Sequence, residues 1–470
     1  MTATHCPYCA LQCATTLTPA TRADGPPVQV APRQFPTNRG GLCQKGWTSA
    51  EVLSAPDRLT EPWLRRADGR LHPATWDEAL GHVAAEVTRL QARHGRDSVG
   101  VFGGGGLTNE KAYQLGKFAR VALGTRFVDY NGRFCMSSAA AAGNQAFGLD
   151  RGLPFPLADV AGADAVLLLG SNVADTMPPL VQHLARARER GGLLVVDPRR
   201  SATAALTGEG GGLHLQPVPG TDQALLLGLL HVLVAEDRVA HDYLAARTTG
   251  WDAVRRSVSE WWPARVADLT GVPESRLRQA ARVLADADHA YVLTGRGAEQ
   301  HVDGTDTVTA AVNLALALGL PGRVGSGYGC LTGQGNGQGG REHGQKADQL
   351  PGYRSIDDPA ARAHVAGVWG VEPDSLPGKG VPAVDLLRRL GRAGGIRALF
   401  VHGSNPAVSA PDATVVRRRL ASLDLLVVCD VVPGETARLA DVVLPVTQWA
   451  EEEGTMTSLE GRVLRRRRAV

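Results

Sequence analysis

Ala165-Val-Leu-Leu-Leu-Gly-Ser-Asn172 and Ala398-Leu-Phe-Val-His-Gly-Ser-Asn405 are two versions of one pattern. Each is a short apolar run stopped by Gly-Ser-Asn, which reads as a buried strand ending in a turn. An amphipathic helix is predicted from about Pro178 to Glu189 after the first, and another from about Ala413 to Ala421 after the second. A further strand follows each time: Leu193 to Val196, ending at Asp197-Pro198-Arg199, and Leu425 to Cys429, ending at Asp430. Asn172 to Asp197 is 25 residues, and Asn405 to Asp430 is also 25. The chain therefore holds a duplicated βαβ unit, and its fold class is α/β.

Parallel strands bind ligands at their carboxyl ends. A phosphate sits there on helix N-terminal N–H groups, and an Asp ending the next strand can hold ribose or base. Two copies predict two similar nucleotide ligands, one per half. Neither copy carries G-x-G-x-x-G, so a simple NAD site is not supported. Structural loops without a ligand are the plainer alternative.

Outward from these units, a third strand–turn–helix is predicted over His289 to Leu318, with Gly295-Arg-Gly-Ala-Glu-Gln-His301 as its turn. Trp76 to His94 has helical spacing, with Leu80, Val83, Ala84, Val87 and Leu90 on one face. Ser98 to Phe102 reads as a strand that runs through Gly103–Gly106 into a helix from Asn109 to Ala122. Ser49 to Pro73 reads as a Pro-punctuated linker with short strands. Arg323 to Gly352 contains T-G-Q-G-N-G-Q-G-G-R-E-H-G. Polar side chains interleaved with glycine predict a close-approach loop over a ligand in preference to a disordered linker.

Cys6, Cys9 and Cys13 stand as C-x2-C-x3-C, and Cys43 follows after 29 intervening residues. Three thiolates on one tight loop and a fourth from a distant one suit a 4Fe-4S cluster. Structural zinc usually shows two paired half-sites, and here the second half is a single cysteine. A disulfide framework does not suit a long chain with few cysteines and no signal peptide. Cys135 is placed just before a helix-forming Ala run, where a helix N-terminus favours its thiolate, and a soft thiolate suits a transition metal. A small buried residue is the default alternative. Cys429 reads as a core thiol within its apolar strand, and Cys330 has no role.

At 470 residues, 43% apolar and 21% charged, the composition is that of an ordinary soluble protein of several domains. A net charge of +3 gives no sign of nucleic-acid or membrane partners. Arg465 to Arg468 reads as a solvated tail or a cut element. The longest apolar runs fall short of the ~18 residues of a membrane span. With no leader before Cys6, the expected location is the cytoplasm, where free thiols persist.

C-P-Y-C-A-L-Q-C at Cys6–Cys13, G-L-C-Q-K-G-W at Gly41–Trp47 and N-G-R-F-C-M-S-S-A at Asn131–Ala139 resemble the molybdopterin-dependent oxidoreductases, which include nitrate reductases and formate dehydrogenases. The resemblance covers essentially the whole chain. It implies a cluster domain over 1–56 and two related Rossmann-like domains, one discontinuous (57–134 plus 326–470) and one inserted (135–325). It also implies a C-terminal barrel-like domain, which is absent from a chain ending at Val470. The implied cofactors are a 4Fe-4S cluster on Cys6, Cys9, Cys13 and Cys43, and Mo-bis(molybdopterin guanine dinucleotide) with Cys135 on molybdenum. Lys45, one of only five lysines, would carry electrons between cluster and pterin.

By the same resemblance Asn131 would contact a pterin. Gly170, Ser171, Asn172, Asp197, Arg199 and the turn Gly220, Thr221, Asp222 would hold one dinucleotide. Gln300, Asn405 and Asp430 would touch the pterins. Arg341 would meet nitrate, a planar anion suited to a guanidinium; a surface arginine paired with Glu342 is its alternative. Formate dehydrogenases typically carry His after the metal-binding residue, so Met136 favours nitrate. The Arg323–Gly352 stretch and G-G-G-G-L-T-N-E-K-A-Y at Gly103–Tyr113 resemble the assimilatory nitrate reductases in particular. The expected activity is reduction of nitrate to nitrite, with electrons from ferredoxin or a nicotinamide-dependent flavoprotein. A cysteine-type formate dehydrogenase and a non-catalytic iron–sulfur scaffold subunit are the alternatives.

Overall fold

The duplicated apolar runs lie at the centres of two separate sheets in the computed structural model, which describes residues 1–21 and 25–470. The first sheet is wholly parallel, in the order Leu213–Leu215, Leu193–Val196, Ala165–Leu169, Ala290–Thr294, Gly327–Cys330. Its strands Leu193–Val196 and Ala165–Leu169 are apolar at every position because both faces are covered. Val166, Leu168, Val195 and Leu293 pack to one side, and Leu167, Leu169, Leu194 and Val292 to the other.

The second sheet runs Leu71–Pro73, Trp63–Arg65, Val442–Pro445, Leu425–Asp430, Ala398–His402, Val99–Gly103, Val128–Tyr130. The last five strands are parallel, and the linker supplies the two antiparallel edge strands. Each sheet changes winding direction once, between Ala165–Leu169 and Ala290–Thr294 in the first and between Ala398–His402 and Val99–Gly103 in the second. Ligands bind at such switch points in open α/β sheets. A small antiparallel sheet of Thr2–His5, Ala14–Pro19 and Val28–Pro32 carries the cysteine loop between its first two strands.

Several elements differ from the sequence expectation for local reasons. Trp76–His94 is a helix capped by Thr75, whose side chain accepts from the Glu78 N–H. Its buried face is Ala79, Val83, Val87 and Leu90, leaving Leu80 and Ala84 outside. Pro178–Leu184 is a 3-10 turn, and only Ala185–Glu189 is α-helical. The Asn109 helix stops at Lys117 and continues as a π turn, Phe118–Ala122. Cys135 stands inside the first turn of the helix Gly132–Phe147, not before it. Among the terminal arginines, Arg465, Arg467 and Arg468 are exposed, but Arg466 is not: Val463–Arg466 pairs with Gly454–Thr457, and Arg466 is buried with a 2.6 Å bond to Glu452. Among the described residues, no helix is long and apolar enough to cross a membrane.

His183 joins the cysteine-bearing region to the first sheet. Its ring is buried, and Nε2 donates to the Thr37 carbonyl at 3.1 Å. Burial pushes its pKa below the usual 6.5. The unfolded chain then takes the proton first as pH falls, so the contribution of His183 to stability is present above about 6.5 and is lost on acidification. Thermal unfolding between about pH 7 and 5 should show a slope of up to ~1.4 kcal/mol per pH unit from this group, which His183→Gln flattens. An unchanged slope in the variant would contradict the assignment.

Candidate functional site

The cysteine loop and the first switch point face one cavity of about 390 Å³. Cys6, Cys9, Cys13, Cys43 and Lys45 line one side, and Gly170, Ser171, Asn172, Gly295 and Arg296 the other. The loop closes where the Cys6 N–H donates to the Cys13 carbonyl at 2.8 Å. Gln12 turns through φ 47° and donates to the Gly335 carbonyl at 2.6 Å. Cys9 forms an antiparallel bridge with Gln334, so the glycine-rich stretch packs directly on the cysteine loop. Cys43 precedes the short helix Gln44–Trp47, which sets Lys45 at the exposed edge of the cavity.

The four thiols fit a cluster. Burial pushes the Cys6 thiol up to about 12, opposed by a backbone hydrogen bond, and the nearby Cys9 and Cys43 push it further. Cys9 and Cys13 are raised as well, by burial first. Thiolates so crowded need cationic metal to stay ionised. Among the described residues, no three His, Cys, Asp or Glu side chains are gathered tightly enough to hold a single ion. A group with the spread of a four-iron cluster suits this arrangement better than one zinc.

The Gly170 turn is built for close approach. It has φ +59°, and a Cβ there would fall 2.2 Å from the Ala298 nitrogen, a place only glycine can fill. Gly403, its counterpart, has the same φ of +59°. The duplication extends further than the strands. Asn172 Oδ1 accepts from the N–H and hydroxyl of Thr203 at 3.2 and 2.8 Å. Asn405 Oδ1 accepts from the N–H and hydroxyl of Thr436 at 3.1 and 2.6 Å. Both pairs are 31 residues apart. The other ends of these amides donate to Asp175 and Glu435, each at 2.7 Å. Asn172 and Asn405 were expected to touch ligand. Their side chains also pin the turns internally, and Asn172 lines the first cavity.

Asp197, Arg199 and the Gly220–Asp222 turn follow the next strands of the first sheet. Asp197 accepts from the Arg199 N–H at 2.9 Å, and the Arg199 side chain is exposed. Gly220 has φ +86°, Thr221 donates to the Val218 carbonyl, and Asp222 is buried at the helix start, which raises its pKa. A second cavity, about 700 Å³, lies at the switch point of the second sheet between Gly106, His402, Gly403 and Asp430. Burial raises the Asp430 carboxyl there. Gly104 packs so tightly that a Cβ would lie 2.1 Å from the Gly403 carbonyl oxygen.

Cys135 is half-buried. Asn131, one turn before it, accepts from the Gly105 N–H at 2.9 Å and so ties this helix to the glycine turn. Met136 is buried against Cys330. Gln300 is exposed and donates to the Phe134 carbonyl. The unexpected residue is Arg296, whose Nη1 lies 3.6 Å from Cys135 Sγ and whose Nη2 lies 2.9 Å from Cys330 Sγ. Its only sequence signal was its place in the turn after the third strand.

Arg341 is not a surface arginine paired with Glu342, the alternative reading. It is 1% exposed, and its Nη1 lies 3.0 Å from Asp150 Oδ1. It also donates to Gln338 and Thr332. Glu342, the expected partner, binds Arg151 at 3.3 Å and Gln338 at 2.8 Å. The Arg341 guanidinium is thus engaged inside the protein. The stretch around it is buried and ordered by Arg120, which donates to the carbonyls of Gly344, Lys346 and Gln349. Most of its glycines meet protein, as Gly335 meets the Pro7 carbonyl, whereas Gly333 opens onto the first cavity.

Residues 1–54 match the family model described as molybdopterin oxidoreductase Fe4S4 domain, and residues 58–470 match molybdopterin oxidoreductase. The chain is 42% identical over 461 residues to the assimilatory nitrate reductase catalytic subunit of Bacillus subtilis (strain 168), covering 98% of this chain and 64% of that protein. It is 34% identical over 464 residues to formate dehydrogenase H of Escherichia coli (strain K12), covering 97% and 64%. Acetylene hydratase from Pelobacter acetylenicus shares the fold, with a TM-score of 0.79 at 21% identity over all of this chain and 66% of that one. The chain thus spans about 64% of the length of these two curated relatives. Two family models laid end to end cover the cysteine loop, both switch points and the Cys135 helix, and the chain belongs to the molybdopterin oxidoreductase family, whose cofactors are a 4Fe-4S cluster and a molybdopterin.

Proposed function

We propose that this chain is the catalytic part of an assimilatory nitrate reductase, reducing nitrate to nitrite with electrons entering through the 4Fe-4S cluster. The observation that carries it is Cys135, 3.6 Å from Arg296, which lines a cavity whose far wall is the cysteine loop with Lys45. The 42% identity to an assimilatory nitrate reductase subunit supports it.

Bound molybdopterin would supply oxygen-atom and two-electron transfer, and the cluster single-electron transfer. Cys135 offers a soft ligand for molybdenum. The Gly170 turn with Asp197, Arg199 and Gly220–Asp222 would hold one molybdopterin guanine dinucleotide, and the Gly403 turn with Asp430 a second. Lys45 places a cation between the cysteine loop and the first turn. No side chain has to act as a base, because protons can come from solvent. The electron donor would be ferredoxin or a nicotinamide-dependent flavoprotein, in the cytoplasm, where thiols such as the seven free ones here persist.

Formate oxidation is the alternative, favoured by the 34% identity to formate dehydrogenase H. The two are separated by viologen assays on the complete protein expressed with molybdenum. Oxidation of reduced viologen by nitrate, without viologen reduction by formate, is expected. The reverse pattern would establish formate. Cluster-loaded protein that holds no molybdenum would point to a scaffold subunit.

A further inference from the structure

Arg296 is held on three sides. Its Nε donates to Glu299 Oε2 at 3.0 Å, Nη1 to the Leu331 carbonyl at 2.7 Å, and Nη2 to Cys330 Sγ at 2.9 Å. Glu299 is itself buried, and its other oxygen accepts from the Cys330 thiol at 3.3 Å. Cys330, Glu299 and Arg296 therefore close a ring of hydrogen bonds around a planar guanidinium. The remaining reach of that fork, through Nη1, ends on Cys135 Sγ at 3.6 Å. A lysine has no such fork and could not serve both sulfurs from one plane. The guanidinium is also only partly exposed, at 22% of its side chain, so its contacts are not those of a surface arginine. It lines the cavity shared by the cysteine loop and the Gly170 turn.

We propose that Arg296 is the positioning residue for the Cys135 sulfur, with Glu299 and Cys330 holding its guanidinium in place. The proposal rests on Cys135 being the molybdenum ligand. An N–H···S hydrogen bond restricts the rotation of the cysteine side chain and draws electron density from the sulfur. Hydrogen bonds to ligating sulfurs and ligand orienters tune metal centres in this way, and their loss typically costs about 10–100-fold in metal affinity or activity. The proposal gives Cys330 a purpose: its thiol accepts from Arg296 and donates to Glu299, locking the charge pair.

The test uses the complete, molybdenum-loaded protein. Arg296→Met keeps an unbranched apolar stem and removes every donor; Arg296→Lys keeps the charge without the fork; Glu299→Gln keeps the shape and loosens the hold. The readouts are molybdenum bound per cluster, the electron paramagnetic resonance spectrum of molybdenum(V), and nitrate kinetics. In Arg296→Met the molybdenum(V) g-values should shift, and kcat should fall about 10–100-fold with KM changed less than about twofold. Arg296→Lys should lie between, and Glu299→Gln should shift the spectrum less in the same direction. Arg296→Met with full molybdenum and the wild-type spectrum would overturn the proposal. If Arg296→Met loses iron and molybdenum together, Glu299→Gln decides, and a wild-type spectrum there overturns it. Cys135→Ser separates the two claims. A spectrum that changes in Cys135→Ser but not in Arg296→Met defeats the positioning role alone. One unchanged in Cys135→Ser defeats the ligand assignment beneath it.

Discussion

Cys135→Ala should reduce nitrate-dependent viologen oxidation to background, a loss on the order of 10³-fold or more, while the iron of the cluster stays bound. Cys135 and the cysteine loop stand on different elements. One is in the first turn of Gly132–Phe147, and the other lies between the strands Thr2–His5 and Ala14–Pro19. Removing the Cys135 sulfur would delete the proposed metal ligand without touching the loop that gathers Cys6, Cys9, Cys13 and Cys43. Iron content and the cluster spectrum serve as the internal control. Retention of more than about a tenth of the activity would exclude Cys135 as an obligatory ligand, since ligand loss is not usually so mild.

Asp150→Asn should be the most damaging single change outside the residues that line the two cavities. Asp150 and Arg341 are each 1% exposed and stand 3.0 Å apart, with Lys346 at 3.9 Å from the other carboxylate oxygen. Burial pulls the Arg341 guanidinium down, but the Asp150 carboxylate outweighs it and holds the cation above its usual range. Burial lowers Lys346. Asn at position 150 would leave two buried cations without their anion. Breaking one partner of a buried pair costs about 3–5 kcal/mol, and a marginally stable protein cannot absorb much of that. Glu342→Gln removes only the more exposed pair with Arg151, worth about 1 kcal/mol or less. Thermal unfolding of the two variants side by side checks this. Equal shifts would contradict the ranking.

The parts of the architecture that repeat along the chain were legible in the residues. The Asn172–Asp197 and Asn405–Asp430 units share a spacing because each folds a strand, a crossover and a strand in one geometry. The partners Thr203 and Thr436 keep the same register, 31 residues on. The cysteine loop was legible because three of its thiols, Cys6, Cys9 and Cys13, stand within eight residues of one another. What escaped were contacts between residues distant in sequence. Arg296 meets Cys135 across 161 residues and Cys330 across 34, and no local pattern marks that meeting. The ion pair of Arg341 with Asp150 spans 191 residues and is equally invisible to local pattern. The run Arg465–Arg468 looked solvated because charge density alone was read. A strand alternates its side chains, and that turns Arg466 inward while its neighbours face out.

The central claim is that a metal on Cys135 reduces nitrate with electrons relayed from the cysteine loop. The most direct measurement is nitrite formed against reduced viologen consumed, on complete protein whose molybdenum and iron contents have been determined. The account predicts one nitrite for every two viologen cations oxidised, at a rate that scales with molybdenum content across preparations. No nitrite from protein replete in both metals would contradict it.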